Sequence, residues 1–88
     1  FVDVPQLTSK PISTVNVFPN PSTGNFNIQA TTKITALSVQ NILGEQVYKS
    51  EPNSLLFNID ISILSKGIYI LKTMDENSII LTQKLIIK

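Results

Sequence analysis

Runs of alternating apolar and polar residues dominate the chain, and only a β-strand with one buried and one wet face satisfies that period of two. Phe26, Ile28 and Ala30 alternate with Asn25, Asn27 and Gln29. Leu37 and Val39 alternate with Ser38 and Gln40, in a run that can begin at Ile34, and Phe57, Ile59 and Ile61 alternate with Asn58, Asp60 and Ser62. A final strand is expected to set Ile79, Leu81, Leu85 and Ile87 on one side. Ile68-Tyr69-Ile70-Leu71 is almost uninterrupted and reads as a central strand covered on both faces. No stretch shows apolar residues at helical spacing free of β-branched crowding.

Turn signals separate these runs. Pro19-Asn20-Pro21-Ser22-Thr23-Gly24 follows the short strand Val15 to Phe18 and reads as a rigid corner, with φ fixed at two prolines and side-chain caps from Asn20 and Ser22. Asn41-Ile42-Leu43-Gly44 reads as a hairpin loop with Gly44 at a positive φ. Pro52-Asn53-Ser54, Leu64-Ser65-Lys66-Gly67 and Asp75-Glu76-Asn77-Ser78 break the chain again. About seven short strands at this spacing predict an all-β, immunoglobulin-like antiparallel sandwich. Tyr69, at the start of its strand, is a core residue or a corner tyrosine whose hydroxyl reaches back to the backbone.

With 88 residues the chain has room for one core. Phe1 to Thr14, holding Pro5 and Pro11 without periodicity, reads as an extended linker, and Val15 to Lys88 as the folded domain. Composition narrows the chemistry further. Without His or Cys, no triad, imidazole ligand or thiolate site can form. The six carboxylates fall mostly in turns and linker, where solvated charges are expected, and Asp75-Glu76-Asn77 lacks the oxygen spacing of a calcium loop. The reading is therefore a non-enzyme with no cofactor and no metal. Scattered lysines without Arg give a net charge of +1 and no nucleic-acid footprint. No apolar run is long enough for a membrane helix, so no direct membrane insertion is expected. Phe26, Phe57 and Tyr69 alternate into the core, which leaves Phe18 and Tyr48 as the available sugar platforms, both read as core or corner packing. Leu55-Leu56-Phe57 and Leu85-Ile86-Ile87 are apolar enough to need cover or a partner at a sheet edge.

The punctuation residues resemble a known family, the type A C-terminal sorting domain of cargo exported by the type IX secretion system of Bacteroidota. Val17-Phe18-Pro19-Asn20-Pro21-Ser22-Thr23-Gly24 resembles its opening block and Val39 through Val47, with Gly44, its middle hairpin. Ile59-Asp60-Ile61-Ser62 with Leu64, Gly67, Ile68 and Tyr69 resembles its third block, and Lys84-Leu85-Ile86-Ile87-Lys88 its terminal strand. Asn41 departs from the pattern, standing where an Asp is common before the hairpin Gly, a change expected to remove one possible charge-assisted turn bond. The resemblance implies a non-catalytic address that carries an N-terminal passenger through the periplasm and across the outer membrane. Its expected partners are an outer-membrane shuttle and translocon, with recognition at Lys84, Leu85, Ile86, Ile87 and Lys88. A sortase-like peptidase at the cell surface is expected to cut within the linker, leaving the passenger surface-bound or secreted. A structural or adhesive spacer and a carbohydrate-binding module are the competing readings, and the chain's ending on its last strand favours the address.

Overall fold

A computed structural model describes residues 14–88, in which every regular element is a strand. These are β1 (Val15–Phe18), β2 (Asn25–Gln40), β3 (Gln46–Ser50), β4 (Ser54–Asp60), β5 (Gly67–Asp75) and β6 (Ile80–Ile87). All strand pairings are antiparallel. The immunoglobulin-like sandwich expected from the alternation forms, with six strands in place of about seven.

The difference lies in β2. Its first half pairs with β1 on one side and β4 on the other, while its second half lies between β3 and β5, with β6 beyond. One 16-residue strand therefore serves two layers. The sequence reads as two strands because its parity switches. Phe26, Ile28 and Ile34 are buried at even positions, Leu37 and Val39 at odd ones. Register irregularities between Gln29 and Ile34 and between Ile34 and Ala36 absorb the extra residue, bending the strand so that both apolar sets face one core.

Between the layers, Val17, Phe26, Ile28, Leu37, Val39, Ile59, Ile61, Tyr69, Leu71, Leu85 and Ile87 form a continuous cluster, with Phe57 and Tyr48 packed against it. Two expectations do not hold. Ile68 is 47% exposed and Ile70 half-buried, so β5 is covered on one face only. Ile79 precedes β6 and is exposed, so the last strand's inward row consists of the half-buried Leu81 and the buried Leu85 and Ile87.

The three glycines have positive φ but unequal surroundings. Gly44 and Gly67 have nothing within 4 Å of an added Cβ, whereas a Cβ on Gly24 (φ 125°) would land on the backbone of Ser62, whose amide nitrogen would be 2.7 Å away. Gly24→Ala should therefore combine backbone strain with overpacking and cost about 2–4 kcal/mol. Gly44→Ala should cost only about 1 kcal/mol. Thermal melts check this, and equal losses at the two sites would refute the close approach.

Candidate functional site

The corner after β1 is built from the residue types the sequence singles out. Asn20, between Pro19 and Pro21, and Ser22, directly after Pro21, carry short polar side chains, a combination that holds the backbone extended and turns capping groups toward whatever lies beside it. What lies beside it is the outer edge of β6. The Asn20 amide donates to the Lys84 carbonyl (2.8 Å) and its Oδ1 accepts from the Ile86 N–H (3.0 Å). Ser22 continues the pattern with its backbone, donating to the Ile86 carbonyl (3.0 Å) and accepting from the Lys88 N–H (2.8 Å). Ser22 and Ile87 form an isolated parallel bridge. The corner thus acts as a short strand closing the edge that Leu85-Ile86-Ile87 presents.

The same corner is anchored on its other side. Ser22 Oγ donates to the Asn25 carbonyl (2.6 Å) and accepts from the Gly24 N–H (3.2 Å). The Gly24 carbonyl accepts from Ile61 (2.8 Å), setting the corner against the turn after β4. In that turn Asp60 Oδ1 accepts from both the hydroxyl (2.6 Å) and the N–H (3.0 Å) of Ser62. The hydroxyl bond, then the backbone bond, hold the exposed Asp60 carboxyl below its ordinary value of 3.8, against a small opposing effect of desolvation.

Tyr69 completes this end. Its ring is buried and its hydroxyl donates to the Ser65 carbonyl, four residues upstream, at 2.6 Å. It therefore fills both roles open to it, core residue and corner tyrosine. Gly67 and Tyr69 lie opposite Ile87 and Leu85. The residues around Pro19 to Gly24, Asp60 to Ser62, Gly67 to Tyr69 and Lys84 to Lys88 are thus brought together at one end of the sandwich. The Gly44 hairpin joins the others through register alone, Gln40 lying opposite Ile70 and Ile70 opposite Lys84. In it the Asn41 Oδ1 accepts from Leu43 (2.9 Å) and Glu45 (3.0 Å), and its amide donates to the Glu45 carboxylate (2.8 Å). An Asp at this position would supply the acceptor and lose the donor, so the departure at Asn41 keeps the turn bonds and adds one.

Of the five terminal residues, Leu85 and Ile87 point into the core, at 0% and 3% exposure. Lys84, Ile86 and Lys88 alternate outward. Phe18 is 44% exposed on the outer side of β1, so it is not core, while Tyr48 does pack on the core. Asp75 is buried, its Oδ1 accepting from Asn77 (2.8 Å) and Ile79 (3.0 Å), a turn cap where a solvated charge is expected. What sequence reading misses is the bonding of Asn20 to residues 64 and 66 positions away; no local pattern encodes it.

Among the described residues, no group of three or more His, Cys, Asp or Glu is placed to hold a metal ion, and no helix is long and apolar enough to cross a membrane. Compared with known families, residues 16–88 match the model of the secretion system C-terminal sorting domain. No curated protein matches the chain.

Two consequences can be measured. Asn20→Ala removes two hydrogen bonds from the β6 edge and should lower stability by about 1–3 kcal/mol in urea unfolding; an unchanged midpoint would mean that the corner does not hold the strand. Because the Asp60 carboxyl is depressed when folded, its contribution is complete above the unfolded value and is lost as pH falls through the folded one. Asp60→Asn should therefore flatten the dependence of melting temperature on pH below about 4, and an unaltered slope would contradict the Ser62 bonds.

Proposed function

Because the chain belongs to the family of type IX secretion system C-terminal sorting domains, we propose that it is a non-catalytic address, read as a folded module by proteins of the export machinery. Sorting to the cell surface or the medium follows from the family, and passage through the periplasm is part of this reading. The observation that carries the folded-module reading is the convergence of the family-like blocks on one end of the sandwich, held by the Asn20 and Ser22 bonds to β6. The partners are an outer-membrane shuttle and translocon, with Lys84, Ile86 and Lys88 as the outward members of the terminal segment they would meet.

Thr14 supports a layout in which a passenger and the corner occupy opposite ends. Its N–H donates to Thr31 Oγ1 (3.0 Å) and its carbonyl accepts from Thr31 (3.2 Å). Thr31 lies in the bend of β2, near where Lys33 bonds Glu76 beyond β5. A surface peptidase cutting the expected linker would act before Thr14, since Thr14 is already tied to the sheet, and protease sites need accessible, unpaired backbone. The cut itself falls outside the described residues.

The test is a fusion of residues 1–88 behind a signal peptide and a reporter in a type IX-competent cell. The reporter is expected at the surface or in the medium, without residues beyond Thr14 if it is released. Retention in the periplasm with a folded domain would contradict the address, and a spacer or sugar-binding role would then have to account for the fold.

A further inference from the structure

The two outer faces of the sandwich differ in chemistry. On the layer of β1, the first half of β2 and β4, register neighbours such as Asn16 and Gln29, Asn27 and Asn58, and Asn25 and Asp60 make an amide-rich surface. The opposite layer carries lysines among aliphatic side chains. Lys49 on β3 and Lys72 on β5 both lie opposite Ser38 of β2, one on each side. Neighbouring strands are about 4.8 Å apart, so the two lysine backbones stand roughly 10 Å from each other across a small side chain. Ala36 beside Met74, and Met74 opposite Ile80, extend the same row of small and aliphatic residues. The result is a groove of about 540 Å³ with Ala36 and Ser38 at its floor and Lys49, Lys72, Met74 and Ile80 around it.

Neither lysine makes an ion pair among the described residues. Glu51 is the acidic residue at the groove, and Lys84, opposite Ile70, adds a further positive charge on the same face. Exposed aliphatics beside cations that have no ion pair among the described residues are matched by a partner that offers carboxylates next to apolar side chains. In a two-fold contact through this face, a second copy of the chain would set lysines against lysines. A flat bilayer would rest on Met74 and Ile80 and meet the small side chains of Ala36 and Ser38 less closely than a peptide side chain does.

We propose that this groove is the docking surface for an acidic, aliphatic-bearing protein segment of the export machinery, with Lys49 and Lys72 holding its carboxylates and Met74 and Ile80 its apolar side chains. The inference rests on the sorting function and adds to it the face that is read and the chemistry of the reader.

Charge reversal tests it in the export fusion. K49E/K72E should melt like the parent, since both side chains are exposed, yet deliver about tenfold less reporter to the surface, the equivalent of roughly 1.4 kcal/mol. K33E/K66E makes the same charge change at exposed lysines outside the groove and should export normally. Parent-level delivery by folded K49E/K72E, or equal loss in both variants, overturns the groove as the docking surface. If the reversed variant fails to fold, K49Q/K72Q replaces it, with the same outcomes. A parent fusion that stays in the cell refutes the sorting function instead, and a second readout then decides the groove. The purified 88-residue chain is titrated with a peptide alternating Glu and Leu. Amide shifts at Ala36, Ser38 and Met74 that disappear in K49E/K72E support the proposal; their absence, or shifts centred on Asn27 and Asn58, overturns it. Binding to vesicles of equimolar phosphatidylcholine and phosphatidylglycerol that K49E/K72E abolishes would assign the face to lipid and overturn the protein partner.

Discussion

A sheet edge exposes backbone donors and acceptors that can bind another extended chain, and a small sandwich must cover or blunt its edges to avoid aggregating through them. Here the outer edge of β6 from Lys84 to Lys88 is covered from within, by the side chain of Asn20 and the backbone of Ser22. The rest of the structure depends on this closure. It holds Leu85 and Ile87 in the core, sets Gly24 against the turn at Ser62, and joins the connection between β1 and β2 to a strand far away in sequence. Prolines flanking Asn20 suit the task, since a residue without an N–H cannot extend the ladder further.

That closure changes how the terminal segment can be read by a partner. An open edge invites strand addition, but the bonds from Asn20 and Ser22 already occupy the positions a guest strand would take between Lys84 and Lys88. On the proposed reading of a folded address, recognition would then work through side chains on its outer faces. Lys84 and Ile86 sit on the same face as Lys49, Lys72 and Met74, whereas the opposite face is uncharged amide apart from Asp60 and scattered apolar groups such as Phe18 and Leu56.

Much of this architecture is legible in the residues, because period-two alternation and turn chemistry are local. The strand from Asn25, the Asn41 hairpin and the turn that begins at Asp75 each follow from interactions within a few residues, whereas the burial of Asp75 as that turn's cap does not. The continuity of β2 is hidden because alternation reports parity, and the bulges that change parity look like a strand break. The exposure of Ile68 and the partial burial of Ile70 are hidden for another reason. An apolar run states what a strand would tolerate, while burial depends on whether anything lies over the sheet, and nothing among the described residues covers that face of β5. Asn20 is legible as a turn residue; that its side chain serves a strand 64 positions later is a tertiary fact that local patterns cannot carry.

Native-state hydrogen exchange on the edge of β6 tests the central claim most directly. The N–H groups of Thr82, Lys84, Ile86 and Lys88 all point away from β5, and those of Ile86 and Lys88 alone are bonded to the corner. Closure of the edge by the corner entails slow exchange at Ile86, approaching the rate set by global unfolding, with protection at Lys88 and fast exchange at Thr82 and Lys84. Exchange at Ile86 as fast as at Thr82 would show that the corner does not close the edge.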